Sequence, residues 1–506
     1  MSGLAAACGR PKPGAVNSIL EAIKHRGPFI SGTDETGGIV LAQNYLAADT
    51  AGGSLPASIP VRSPRNPDIR ICYDGQIGNR AQLAATHNVP EGPFPEERLL
   101  LTLYEQYGKE MLRYLDDAIF AFVIADGEEL FAARDLLGIK TLFYGVKDDT
   151  LYLASELKGI VQVTDEVYEF PNGCYTDASQ RLTRFAALPQ EPPALSEAPV
   201  TEMTGDIRRI IQRSFASRID FLVPTGGLLS GGMDSSVINY IGSQAYKEKF
   251  GPKARLKTFA LGVGESNDIK SARIAAEHID SEHHELIVDL EQVLDVLPEV
   301  IYYLENFDPS LVRSAAANYL ISQYAHDHDI QILLSGEGGD EVFCGYKYLG
   351  KCPPEELFTK QMECIGFLHN NASLRLDRMN QCHSVRVVAP LISGELLRYA
   401  MAIPPRYKQK PEGDEKIEKW IFRKAYEELL PRSIVWRSKQ EFSQGSGSAG
   451  VLPAYFEEQL ADDELARAQA EYPFIRSKEE LAYFRIFKEN FGSGMAIATV
   501  GQWPLL

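Results

Sequence analysis

The stretch "LLSGGMDSSV", residues 228 to 237, sets two glycines, an aspartate and three serines at the end of a short apolar run. Successive glycines let backbone amides approach an anion without interference from a Cβ. A helix starting there adds free N–H groups and the positive end of its dipole. Ser230, Gly231, Gly232, Ser235 and Ser236 therefore read as a phosphate or pyrophosphate cradle. Asp234 reads as a carboxylate holding a divalent cation between phosphates. The pattern is not G-x-x-x-x-G-K-[ST], so no lysine sits over a γ-phosphate. That favours release of pyrophosphate with transfer of AMP over γ-phosphoryl transfer. The plain structural alternative is a glycine turn with a serine helix cap.

A second stretch, "ILLSGEGGDEVFCGY" (332 to 346), again ends an apolar run in a glycine turn, now with Glu337, Asp340 and Glu341. In a parallel sheet both turns emerge at the carboxyl edge, where ligands bind. Asp234 and Asp340 are then expected to share one Mg²⁺. A third stretch, "VWRSKQEFSQGSG" (435 to 447), supplies Arg437 and Lys439. Cations there suit charge developing on a pentavalent phosphorus or a tetrahedral carbon.

Positioning these groups needs more than one core, because 506 residues exceed what a single core fills. Short alternating apolar stretches before about residue 185, such as "AIFAFVIADG", predict antiparallel sheet with a few helices. "LPQEPPALSEAPV", with four prolines in thirteen positions, reads as an extended connector. Beyond it, "GGLLS", "LKTFALGV", "HHELIV" and "IQILLS" read as buried strands alternating with helices, hence a parallel α/β sheet. After residue 352 the chain reads as mostly helical.

A net charge of −18 argues against nucleic acid as a main partner. No apolar run approaches the ~20 residues that span a bilayer, and the start lacks a signal-peptide pattern. Seven scattered cysteines without paired metal spacing suit free thiols in a reducing cytoplasm.

Taken in order, these motifs resemble glutamine-dependent asparagine synthetases over nearly the whole chain. S-G-G-x-D-S falls on Ser230 to Ser235, and S-G-E-G-x-D-E-x-F-x-G-Y on Ser335 to Tyr346, with Cys344 for the usual glycine. W-R-x-K-x-x-F-S-x-G-x-G falls on Trp436 to Gly447; "HRGPFISG", "ARDLLGIKTLFYG", "ASELKGI" and "FPNGCY" match landmarks of the first half. The resemblance implies an Ntn-hydrolase-like α+β sandwich over 1–190, a linker over 191–203 and a parallel α/β ATP-pyrophosphatase domain over 204–506. It implies ATP and Mg²⁺, with Asp234 and Asp340 on the metal. Leu229, Leu261, Ser335 and Gly336 would border the nucleotide, together with the serine and glycine cradle. Glu337 would guide and deprotonate the amine, and Lys439 would steady the acyl-adenylate. Ser310, Arg313 and Asp340 would face the acceptor. Pairing as a homodimer follows by analogy.

Two departures stand out. The family's nucleophilic cysteine is Ser2 here, and its carboxylate-gripping arginine aligns with Tyr45. Its oxyanion asparagine is Asp74, with Gln76 for the following glutamate, and Glu96 aligns with the amine-binding aspartate. A carboxylate stabilises an oxyanion poorly, so the first half is expected to keep the fold and lose glutamine hydrolysis. The A-R-V-P-F-L-D block that shapes the acceptor side reads "VRVVAPLIS" (385 to 393), with Val388 and Ser393 at the charged positions. The expected activity is an AMP-forming ligase taking free ammonia, most simply onto the aspartate side chain. Amidation of another carboxylic acid, use of another amine, or a non-catalytic role are the alternatives.

Overall fold

The computed structural model describes residues 2–50, 58–177, 179–264, 266–413, 415–438 and 450–502. The first half is two stacked antiparallel sheets of six strands each. Ser2–Cys8 lies inside one of them, pairing with Ile39–Tyr45 on one side and Thr150–Ala154 on the other. Ala118–Asp126 and Ile69–Ile77 form the centre of the second. Alternation along these strands fills the space between the sheets with residues such as Leu4, Leu41, Val123 and Leu153. Burial of each such aliphatic side chain contributes about 1.5–3 kcal/mol. The run read as helical around residue 100 is the helix Pro95–Tyr107.

The second half holds a five-stranded parallel sheet in the order Glu282–Val288, Lys257–Val263, Thr225–Leu228, Ile332–Leu334, Arg386–Val388. All four strands expected from the sequence are present. The fifth, Arg386–Val388, falls in the segment whose family counterpart shapes the acceptor side. The helix Val200–Ala216 begins inside the stretch read as a connector, directly after Pro199, whose fixed φ suits a helix start. Strand order reverses between Thr225–Leu228 and Ile332–Leu334, and the crevice at such a reversal is where open α/β sheets bind ligands. The two halves share one apolar core in which Leu157 and Ile160 pack with Val300, Leu304 and Phe307. All seven cysteines are free, and among the described residues no helix is long and apolar enough to cross a membrane.

Candidate active site

Both glycine turns open into one cavity of about 510 Å³ at the strand-order reversal. The first turn leads into Met233–Phe250, an 18-residue helix capped by Gly232 with no side chain on its N-terminal amides. Those amides are free to meet an anion. Ser230 and Ser235 hydroxyls lie 3.1 Å apart, and Gly232 N–H donates to Ser230 Oγ at 3.3 Å. Gly231 has φ +68°, and a Cβ there would fall 2.2 Å from the Ser271 carbonyl carbon, so only glycine turns the chain here.

The second turn closes against the first. A Cβ on Gly339 would fall 2.1 Å from Asp234 Oδ1. Between the turns stands a residue absent from the sequence reading, Lys419. Its Nζ lies 2.5 Å from Asp234 Oδ2 and 2.7 Å from Asp340 Oδ1, with the side chain 1% exposed. Asp234 and Asp340 are thus brought onto a single cation. Lys419 is the N-cap of Trp420–Tyr426 with φ 54°. A lysine there opposes the helix dipole, the one signal that marks it out in the charge-rich run "GDEKIEKWIFRK".

Glu337 lines the same cavity and accepts a hydrogen bond from Arg375 at 2.5 Å. Arg375 was also missed, because it lies in the separate helix Ala372–Gln381. Glu341 points inward to Tyr346, whose hydroxyl donates to it at 2.6 Å; burial, then Glu337 and Asp340, push its carboxyl up to about 7. Arg437 lines the cavity and donates to Asp268 at 2.8 Å.

Of the expected nucleotide residues, Leu229, Ser230, Gly232, Asp234, Ser235, Leu261, Ser335 and Gly336 line the cavity. Gly231 and Ser236 do not: Gly231 packs against the Ser271–Ala272 backbone, and Ser236 is fully buried behind the helix start. Ser310 lines it, together with Ser314 and Asn318 one and two helical turns further on. Arg313 is corrected. Three residues on from Ser310, it is clamped by Glu479 at 2.9 and 2.7 Å and does not line the cavity. Lys439 lies outside the described residues, as does most of its motif. The 385–393 segment is also corrected: Val388 is a buried strand residue, and Ser393 caps the helix Gly394–Met401 beside a separate cleft. It meets the site from behind, where Leu391 and Ile392 lie against Gly339 and Gly338 and the Val388 carbonyl accepts from Ser335 N–H at 2.9 Å.

Asp234 Oδ1 is buried without a hydrogen-bond partner, and the donor set is hard carboxylate oxygen. That fits Mg²⁺, which takes one or two protein carboxylates and completes its shell with water and phosphate. No group of three potential ligands converges among the described residues, so phosphates would have to supply the rest.

The first-half residues are also brought together, in a closed arrangement. Ser2 is 1% exposed; its Oγ donates to Tyr73 O at 2.6 Å and accepts from Gln43 Nε2 at 2.6 Å. Asp74 accepts from Ser2 N–H at 3.1 Å and from Arg26 at 2.8 Å. Gln76 donates to Arg218 O, away from Ser2. Glu96 accepts from Tyr73 and from Ile77 N–H. Tyr45 is buried and donates to Glu97 at 3.2 Å.

Burial raises Glu97 from its ordinary 4.5 to about 8. The folded protein therefore binds a proton that the unfolded chain releases above about 4.5. This stabilisation is present below that pH and declines up to about 8, at most about 1.4 kcal/mol per pH unit. Glu97→Gln is expected to flatten the fall in melting temperature between pH 5 and 8 and to melt above the unmodified protein at pH 8. Parallel melting curves for the two proteins would count against it.

Two antiparallel sheets bearing an N-terminal nucleophile position, joined to a parallel α/β domain with a phosphate-type crevice, define an amidotransferase-synthetase architecture. The Glutamine amidotransferase domain profile matches residues 1–192, and the Asparagine synthase profile matches 206–362 and 354–484. Asparagine synthetase B [glutamine-hydrolyzing] of Escherichia coli (strain K12) is 31% identical over 96% of this chain and 90% of its own length. Asparagine synthetase [glutamine-hydrolyzing] of Gallus gallus is 30% identical over 93% of this chain and 90% of its own length, and that of Triphysaria versicolor 30% over 97% and 85%. The chain belongs to the asparagine synthetase family.

Proposed function

We propose that this chain is an AMP-forming amide ligase that activates a carboxylate with ATP and aminates it with free ammonia, the aspartate side chain being the acceptor. What carries the reading is the convergence of two glycine turns at an open helix N-terminus, with Asp234 and Asp340 on one cation. Ser230, Ser235 and the free amides hold the departing pyrophosphate. Leu229 and Leu261 border the base, and Arg437 and Lys419 offset negative charge. Asp234 and Asp340 would hold Mg²⁺, which supplies neutralisation of the phosphates as the bond between α and β breaks. Glu337, oriented by Arg375, takes the proton from the amine as nitrogen attacks the acyl-adenylate carbon and AMP leaves.

Free ammonia is supported by the first half. The Ser2 hydroxyl is committed to Tyr73 and Gln43, and a carboxylate stands at the oxyanion position. The relatives are named glutamine-hydrolysing, so the nitrogen source is where this chain would part from them. The test is pyrophosphate and AMP release with aspartate, Mg²⁺-ATP and either ammonium or glutamine. Ammonium is expected to exceed glutamine by at least about a hundredfold, the cost of losing one oxyanion donor, and Ser2→Ala to change neither rate. Equal rates with glutamine overturn the ammonia reading, and ADP in place of AMP overturns the ligase chemistry.

A second reading keeps the chemistry and changes the acceptor. Arg375 puts a cation beside Glu337 in the cavity wall, while the altered 385–393 segment stays outside it. Pyrophosphate release with another carboxylic acid, and none with aspartate, selects it.

A further inference from the structure

Where the two halves meet, the interior is filled by charge. Arg26 bonds Asp74 at 2.8 Å, Glu156 at 2.7 Å and Asp377 at 2.9 Å. Lys140 bonds Asp377 at 2.7 Å and lies 3.4 Å from Asp74. Arg378 is ion-paired with Glu156 at 2.7 Å and Glu305 at 2.9 Å, and Lys158 with the same two carboxylates at 2.5 and 2.9 Å. Four cations thus face four carboxylates, none more than 4% exposed in its side chain. Burial alone would raise Glu156, but Arg378, His25, Lys158 and Arg26 outweigh it and keep it ionised. Such a lattice is a poor source of net stability but fixes geometry, because a displaced member strands its partner's charge in a dry interior.

What it fixes is the wall of the synthetase cavity. Asp377 and Arg378 stand on the helix Ala372–Gln381, whose other side gives Ala372, Arg375 and Leu376 to the cavity. Two residues turn a helix by about 200°, so Asp377 faces the first half while Arg375 faces Glu337. Glu305 accepts from Leu157 and Lys158 N–H at 2.9 and 2.6 Å, three residues before the Asp308 cap of the helix carrying Ser310. Both cavity-lining helices are therefore moored to the first half through buried charge.

We propose that the first half acts as a positioning domain, in which Lys140 and Asp377 hold the helix Ala372–Gln381 so that Arg375 presents Glu337 to the incoming amine. This rests on the ligase reading for Glu337. The position vacated by the oxyanion asparagine takes part in it, since Asp74 joins the lattice through Arg26 and Lys140.

The test compares full-length Lys140→Met and Lys140→Arg with the unmodified protein. Three readouts are taken: amide hydrogen exchange over 372–381, ATP–pyrophosphate exchange with aspartate, and the KM for ammonium. Lys140→Met is expected to speed exchange over 372–381 at least tenfold and raise the ammonium KM at least fivefold. ATP–pyrophosphate exchange should stay within twofold, and Lys140→Arg should restore both altered readouts. Asp377→Asn, which keeps shape and polarity, is judged by the same readouts if Lys140→Met does not fold. Unchanged exchange over 372–381, or ATP–pyrophosphate exchange falling in step with amide formation, overturns the proposal. If the unmodified protein releases no pyrophosphate, the ligase reading fails, and the exchange rates alone still decide whether the helix is held from the first half.

Discussion

Replacing Lys419 by methionine is expected to lower amide formation by about a thousandfold, the upper range for loss of one preorganised charge-stabilising group. The side chain is buried and its ammonium lies 2.5 and 2.7 Å from two carboxylates on different turns. Methionine keeps the packing volume and removes the charge. Asp234 and Asp340 then repel across the space where phosphates must enter. Lys419→Arg is expected to fail as well, because a planar guanidinium does not replace a point charge buried between two carboxylates. Steady-state pyrophosphate release measures both. A magnesium titration without nucleotide supplies a separate check: Lys419→Met should bind the ion more tightly than the unmodified protein, since the competing cation is gone. Near-normal turnover in Lys419→Met would falsify the assignment of this lysine to the site.

Gly336→Ala should have the second largest effect. A Cβ there would fall 2.5 Å from both the Asp234 carbonyl carbon and the Ser235 nitrogen. These are backbone atoms of the opposite turn, so no side chain can swing aside. The turns must separate, which parts Ser335 and Glu337 from the phosphate cradle. A misplacement of about 1 Å in a catalytic constellation costs on the order of a hundredfold. At least that loss in ATP–pyrophosphate exchange is expected, together with a lower melting temperature. Gly205→Ala is the control: it lies inside the helix Val200–Ala216 with nothing within 4 Å of an added Cβ. It should keep full activity and gain about 0.5–1 kcal/mol of stability. Equal behaviour of the two substitutions would sink the close-approach argument.

The phosphate cradle was legible because its physics is local. Glycines, hydroxyls and a carboxylate within six residues of a strand end can only gather around one helix start, whatever the remainder of the chain does. Period-two and strand–helix patterns likewise announced the antiparallel half and four strands of the parallel sheet, since burial of one face writes itself into each segment. Loss of the cysteine at Ser2 and the carboxylate at Asp74 were single-position chemistry, readable without coordinates.

Pairings across long separations were not readable in that way. Lys419 meets Asp234 over 185 residues, and Lys140 meets Asp377 over 237. A charged residue in a polar run has the same appearance whether solvent or a buried carboxylate receives it. Arg313 shows the converse: the resemblance sets it with Ser310 at the acceptor, and although residues three apart share one side of a helix, Glu479 holds its guanidinium at 2.9 Å. Residue type and local spacing thus specify which chemistry each turn can perform. Chain closure in three dimensions settles which charges end up facing each other, because it sets the distances over which buried charges act.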